Sequence, residues 1–296
     1  MVYTLPTSKI PLDPHRDRGA IQALQASAVV FRKKILDTGH DLGIRLHYGA
    51  IMSSAEILTL LYLRWLRLDP PNPDWPERDR FVLSKGHAAP ALYVALWMRG
   101  FFPESTFDTF RRLGNPLQGH PDRMKTAGVE CSTGSLGQGF PVGCGMALGA
   151  KMDEAPYRVY TLISDGECNE GSIWEAALIA ANLKIDHLTV LLDWNKKSSY
   201  GIMAGRNEVA PLREKWEAFG WAVLNCDGHD FVELSQALYT AENTAGKPVV
   251  ILCSTQKGRG IPYAEANPTR SNFGLTEAQY QEAVASLSAQ LERINA

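Results

Sequence analysis

Asp165-Gly166 and, thirty positions on (195 − 165), Asn195 are the residues whose types and spacing could hold a divalent metal and a diphosphate. Each stands where an apolar, partly β-branched run stops. Arg158-Val-Tyr-Thr-Leu-Ile-Ser164 leads into Asp165, and Leu188-Thr-Val-Leu-Leu-Asp193 leads into Trp194-Asn195. Between them, residues 171–184 have helical spacing and many Ala and Leu residues. Strand, helix, strand in this length predicts a right-handed βαβ unit, which brings both strand ends to one edge of the sheet. There an Asp carboxylate and an Asn amide oxygen converge. Hard oxygen ligands with positions left open suit Mg²⁺ or Ca²⁺, with diphosphate oxygens and water completing the shell. Taken singly, Asp-Gly is a common turn pair and Asn an ordinary loop residue. The combination Ser164-Asp-Gly-Glu-Cys-Asn-Glu-Gly171, helix, Leu191-Leu-Asp-Trp-Asn195 is what points to a clamp.

Three of the seven histidines have a chemical context. His87 closes Ser84-Lys-Gly-His87 at a strand end, where an imidazole can donate to phosphate. His47 and His120 sit in loops containing Gly or Pro, from which side chains reach a pocket. His15, His40, His187 and His229 lack such a context, and His229, in Asp-Gly-His-Asp, reads as a turn residue. Lys257-Gly-Arg-Gly260 follows a strand and is either a solvated basic turn or a neutraliser of diphosphate charge. Thr133-Gly-Ser-Leu-Gly-Gln-Gly139 is glycine-rich, a weak signal taken alone.

The elements around these residues alternate between strand and helix. Strands are expected at 81–83, 158–164, 188–193, 220–226 and 248–254. Helices are expected at 20–42, 53–66, 88–99, 103–113, 139–152, 171–184, 231–242 and 275–294. That order predicts an α/β fold with a doubly wound, mostly parallel sheet flanked by helices. Ser53 or Ser54 offers an N-cap to the second helix, with Glu56 in its first turn facing the helix dipole. The same helix is apolar nearly all round, which buries it against other helices or a partner. Residues 1–18, rich in Pro and charge, read as an extended arm, and 19–296 as one domain. A net charge of −2 argues against nucleic acid, and no apolar run approaches the roughly 18–20 residues needed to span a bilayer. Five scattered cysteines without CxxC spacing suit free thiols, and the start lacks an apolar signal core; a cytoplasmic protein is expected.

Taken in order, Leu46-His-Tyr-Gly-Ala50, Arg80-Phe-Val-Leu-Ser-Lys-Gly-His-Ala88, Gly119-His-Pro121, the 133–139 loop and the Asp165–Asn195 unit resemble the motifs of the transketolase cofactor-binding domain. The last unit is similar to the thiamine diphosphate signature, with Ser164 in place of its first Gly. The likeness covers residues 35–260 and implies the diphosphate-binding (PP-type) domain of the thiamin diphosphate-binding fold. By that resemblance the Asp165 carboxylate, the Asn195 side-chain oxygen and the Lys197 carbonyl hold Mg²⁺, with Ca²⁺ or Mn²⁺ as substitutes. Gly166 presents its amide to the diphosphate, Lys257 neutralises it, and His87 helps to hold the cofactor. Gly134 and Leu136 approach the aminopyrimidine, Glu170 and Glu175 match an acidic pair near the subunit interface, and Glu170 joins a carboxylate network between two active sites. His47 and His120 bond the oxygens of the donor ketose.

Complete transketolases carry two further domains, so the chain resembles the first subunit of a split-gene transketolase. The resemblance implies transfer of a two-carbon ketol unit from a ketose, expected as the phosphate, to an aldose. It also implies a C-terminal partner subunit whose pyrimidine-binding domain brings the activating Glu, and a heterotetramer in which residues 53–66 and 139–152 offer apolar faces. The diphosphate-binding subunit of a 2-oxo-acid decarboxylating enzyme shares the clamp, and a non-catalytic regulatory subunit could retain it. The ordered His47, His87 and His120 motifs and the intact Asp165 and Asn195 favour ketol transfer. Two departures, Asn267-Pro-Thr-Arg-Ser-Asn-Phe-Gly274 without the family's His and Lys196-Lys-Ser-Ser-Tyr-Gly201 after Asn195, imply an altered substrate pocket.

Overall fold

The computed structural model describes residues 5–198, 201–202 and 208–296. Its strands are β1 (Arg80–Leu83), β2 (Val159–Ser164), β3 (Leu188–Trp194), β4 (Lys197–Ser198), β5 (Gly201–Ile202), β6 (Ala222–Asp227) and β7 (Val249–Ser254). The α-helices are α1 (Arg18–Asp41), α2 (Tyr48–Met52), α3 (Ala55–Leu60), α4 (Ala89–Arg99), α5 (Gly139–Met152), α6 (Gly171–Asn182), α7 (Leu212–Ala218), α8 (Phe231–Glu242), α9 (Pro262–Ala266) and α10 (Glu277–Asn295). Five strands form one sheet in the order β1-β2-β3-β7-β6, every pair parallel. A fully parallel sheet is covered on both faces, which is why its strands read as continuous apolar runs. Successive side chains divide between two cores. Tyr160, Leu162 and Leu191 pack with α1, α3, α4 and α8, whereas Val159, Ile163, Val190 and Leu192 pack with α5, α6 and Trp216 of α7. After β3 the chain crosses to β6 at the sheet edge and returns to β7 beside β3. This change of direction leaves a crevice at the carboxyl ends of the strands, where ligands bind in such sheets.

Several expectations need correction. Residues 53–66 form α3 followed by a π turn (Leu61–Trp65), and every residue of it is buried within this chain against α1, α4 and α8. It therefore presents no face to a partner. Ser54 occupies the N-cap position but its hydroxyl donates to the carbonyls of Ala50 (3.2 Å) and Ile51 (3.0 Å), because the chain arrives from α2 already coiled. Ser53 points elsewhere, to Asp193 Oδ2 at 2.6 Å. Glu56 does stand in the first turn of α3, where it is also buried and salt-bridged to Arg32 at 2.7 Å. Residues 103–113 give only a 3₁₀ turn, Glu104–Thr109, with Arg111 in the left-handed region (φ 63°). The short α2, α7 and α9 and the β4–β5 hairpin were not expected. The arm packs on the body: Leu12 is buried with its N–H on Ser235 Oγ (2.8 Å), and Lys9 bridges Asp79 (3.0 Å) and Glu242 (2.9 Å). Among the described residues no helix is long and apolar enough to cross a membrane.

Candidate active site

The residues singled out for chemistry lie at the carboxyl edge of the sheet because each follows a strand or opens a helix there. β1 delivers Ser84 and Lys85 and then the 3₁₀ turn Gly86–Ala88 with His87; β2 delivers Asp165; β3 delivers Asn195; and β7 delivers Lys257. His47 stands at the N-cap position of α2. A cavity of about 330 Å³ is walled by His47, His87, Leu136, Asp165, Asn195 and Lys257, and also by Gly166, Glu170, Lys197 and Ser271. His120 and Gly134 are not in its wall. They touch each other beside it: a Cβ on Gly134 would lie 3.6 Å from His120 Cδ2. Glu175 is exposed on α6. Ser199 and Tyr200, part of the second departure, lie outside the described residues.

Asp165 is buried, its Oδ1 accepting from the Gly166 N–H at 2.7 Å and its Oδ2 from the Lys196 N–H at 2.6 Å. Burial, reinforced by the neighbouring Asp193, pushes its pKa up to about 7 despite the two amides. Each carboxylate oxygen has lone-pair capacity beyond its one amide. Asn195 is also buried and its Oδ1 accepts from the Lys197 N–H at 3.2 Å. Lys196, between them, adopts a left-handed φ of 62° that side chains disfavour. Among the described residues no group of three or more His, Cys, Asp or Glu could hold a metal ion. One carboxylate and one amide oxygen fit a hard divalent cation that takes its remaining ligands from a bound phosphate group and water. The residues present therefore fit the diphosphate–metal pair.

Neutral imidazoles line the same cavity. Burial, with Lys85 and His47 nearby, pushes the His87 pKa down to about 3. His47 is lowered by burial and by Arg111, and the two rings meet edge to face with centroids 5.2 Å apart. Lys257 is buried, which rejects the solvated-turn reading; burial lowers its pKa, and its Nζ donates to Ser271 Oγ at 3.1 Å. The segment lacking the family's histidine thus sends a serine into the cavity.

Beneath the cavity lies an ion pair that sequence reasoning missed. Lys85 Nζ stands 2.5 Å from Asp193 Oδ2, both side chains fully buried. Burial would raise the Asp193 pKa, but Lys85 and the hydroxyls of Ser53 and Thr255 hold it below the ordinary carboxylate value. Lys85 also donates to the Ala50 carbonyl at 2.9 Å, so β1, β3, β7 and α2 are tied at one point. The available signal was two charges at the ends of otherwise apolar strands. Glu167 was missed as well: its Oε1 accepts from Ser84 Oγ (2.5 Å) and the Gly137 N–H (2.8 Å), joining the 133–139 loop to β1.

Comparison with known proteins accords with this geometry. The family model described as transketolase, thiamine diphosphate binding domain, matches residues 37–288. The 6-deoxy-6-sulfo-D-fructose transketolase subunit of Clostridium sp. (strain MSTE9) is 46% identical over 89% of this chain and 96% of its own length. An apulose-4-phosphate transketolase subunit of Phocaeicola vulgatus is 38% identical over 93% of this chain and 97% of its own. Among solved structures, the transketolase of Campylobacter jejuni superposes with a TM-score of 0.81 at 29% identity, over 93% of this chain and 45% of that one. The chain thus spans nearly the full length of the two subunit relatives and under half of the solved enzyme. With its parallel sheet, its carboxyl-edge cavity and a family match over most of its length, the chain belongs to the transketolase family, in its thiamine diphosphate-binding domain.

Proposed function

We propose that this chain is the cofactor-binding half of a two-subunit transketolase that moves a two-carbon ketol unit from a ketose to an aldose. The observation that carries it is the buried Asp165, held by two amides with a pKa of about 7, beside Asn195 in a cavity also lined by His47, His87 and Lys257. In this reading Asp165, Asn195 and the Lys197 carbonyl hold Mg²⁺. Lys257 and Gly166 serve the diphosphate end, with the Gly166 amide shared with Asp165 Oδ1. His87 and Leu136 line the cavity toward the aminopyrimidine half, with Gly134 beside its wall. Bound thiamine diphosphate supplies the carbon nucleophile of the ketol transfer. His47, neutral at physiological pH, can accept a proton from a sugar hydroxyl, and His47 and His120 orient the donor. Glu170 stands exposed on the rim, free to meet a carboxylate network in a partner.

The partner is a second polypeptide with a pyrimidine-binding domain and an activating Glu, as the subunit names of the relatives support. The two relatives' names point to a ketose carrying an anionic group at the end remote from the transferred carbons. The cysteines of the chain are unbonded, and Cys226 and Cys253 keep their Sγ atoms 3.8 Å apart on neighbouring strands, which supports a reducing, cytoplasmic setting. Calorimetric titration of the chain with thiamine diphosphate and Mg²⁺, followed by a ketol-transfer assay with the partner subunit, tests the reading. Uptake that needs the metal is expected; uptake indifferent to Mg²⁺, or a reconstituted pair acting only on 2-oxo acids, overturns it.

A further inference from the structure

Behind the cavity, two charges from α1 and α3 and the histidine of the turn after β6 are buried together. Arg32 Nη1 donates to Glu56 Oε1 and Nη2 to Glu56 Oε2, both at 2.7 Å. The same guanidinium donates from Nη2 to the Met52 carbonyl (3.2 Å) and from Nε to the Arg259 carbonyl (3.0 Å). His229 Nδ1 lies 2.8 Å from Glu56 Oε2, and the backbone N–H of Gln256 points at His229 Nε2 from 2.9 Å. These partners fix the tautomer. A backbone amide can only donate, so Nε2 carries the lone pair. Glu56, doubly paired with Arg32, is a carboxylate and only accepts, so Nδ1 carries the hydrogen. His229 is therefore neutral and engaged on both sides.

What the group holds is the loop Gln256-Lys-Gly-Arg-Gly260. Its first residue is gripped through an amide by His229, and its fourth through a carbonyl by Arg32. Lys257 lies between these grips and enters the cavity. The fit beneath it is tight: the Gly258 N–H donates to the Gly49 carbonyl at 3.2 Å, and a Cβ on Gly49 would come within 2.6 Å of Lys257 Cε. A lysine stem is flexible; here both ends of its loop are fixed by one buried carboxylate.

We propose that Arg32, Glu56 and His229 form a positioning device that sets where Lys257 stands in the cavity, so that His229 governs affinity for the diphosphate without touching it. This rests on the reading of Lys257 as the neutraliser of that diphosphate. The full-length chain with two substitutions at one position separates positioning from bulk stability. His229→Asn keeps a donor for Glu56 but falls short of Gln256, whereas His229→Gln places an amide oxygen where Nε2 stood. Hydrogen exchange of the 256–260 amides, measured without ligand, reads the loop. Calorimetry with thiamine diphosphate and Mg²⁺ reads the affinity, in a double-mutant cycle with Lys257→Met. Expected are faster exchange and about tenfold weaker binding in His229→Asn, recovery of most of both in His229→Gln, and less than about twofold further loss when His229→Asn is added to Lys257→Met. Unchanged exchange in His229→Asn overturns the device while leaving the cofactor site standing. Losses that multiply in the cycle show that His229 acts on the fold and not through Lys257. A wild-type chain that takes up no cofactor contradicts the proposed function itself, and the lysine's assigned role with it.

Discussion

Asp165 is a carboxyl group buried where its own charge is unfavourable, and that tension gives the site a pH signature. Its pKa in the folded, metal-free chain, about 7, stands above the ordinary 3.8, so the fold favours the protonated form. The sign follows: stability contributed by this group is complete below about pH 4 and is lost as pH rises through about 7. A cation reverses this by stabilising the ionised form. The melting temperature should therefore gain more from Mg²⁺ and cofactor at pH 8 than at pH 6. Apparent affinity should fall by up to about tenfold per pH unit below 7, since a proton competes with the metal. Asp165→Ala should abolish retention while the fold persists, and a flat pH profile in the wild type would remove Asp165 from the metal site. His120 makes the opposite demand. It lies outside the cavity wall, exposed against Gly134, and its proposed role is toward the substrate. His120→Ala should lower turnover with a ketose donor by roughly 10²–10³, the loss typical of one transition-state hydrogen-bond donor, with cofactor affinity held. Collapse of affinity with single-turnover cleavage intact would move His120 to the cofactor.

The elements hold these side chains through contacts closer than a methyl group. Gly86, at the start of the turn bearing His87, meets the 133–139 loop so closely that a Cβ would lie 2.7 Å from both Gly134 N and Thr133 C. Both neighbours are backbone and cannot swing aside. Gly86→Ala should cost about 1–3 kcal/mol by overpacking, lower the melting temperature by several degrees, and weaken cofactor binding by separating the His87 turn from the loop. Normal affinity at a normal melting temperature would mean that the two loops are not coupled. The strands around this contact were legible in the sequence because their information is local: an apolar run, then Asp-Gly or Trp-Asn at its end. α8 was read at its true bounds for the same reason, its amphipathic period being its own. What stayed hidden is pairing at long range. Glu56 reads locally as a first-turn acid, yet its partners are Arg32, 24 positions away, and His229, 173 positions away. Asp-Gly-His-Asp spells a turn, and the turn is there; that its histidine holds Glu56 and Gln256 depends on where α3 and β7 pack. The five-residue α2 is too short to show a period, and one of its members is a glycine that exists to let Lys257 pass.

At the scale of the whole molecule, the unfinished surface lies on the α5–α6 face and not at residues 53–66. Gly143, Ala147 and Ala150 of α5 turn inward, while Gly145 is exposed and Val142 stays 41% exposed; on and just after α6, Leu178, Ile179 and Leu183 are 50%, 55% and 46% exposed. Glu170 and Glu175 flank this ridge at the start of α6. Apolar side chains exposed together on adjacent helices and rimmed by acids mark an interaction surface. The cavity opens at the same carboxyl edge from which α6 departs. A second polypeptide seated there would cover the ridge and close the cavity in one step. Purified alone, the chain should bind cofactor weakly and transfer nothing; mixed with a pyrimidine-binding subunit, it should assemble as a heterotetramer, two copies of each, and become active. Light scattering gives the stoichiometry, and ketol transfer assayed for each component and for the mixture gives the dependence. Ile179→Glu, which sets a charge on the ridge far from the cavity's ligands, should abolish assembly and activity together while leaving the chain's own affinity for cofactor unchanged. Full activity from the single chain, or undiminished assembly in Ile179→Glu, would show that the second half of the site comes from somewhere else.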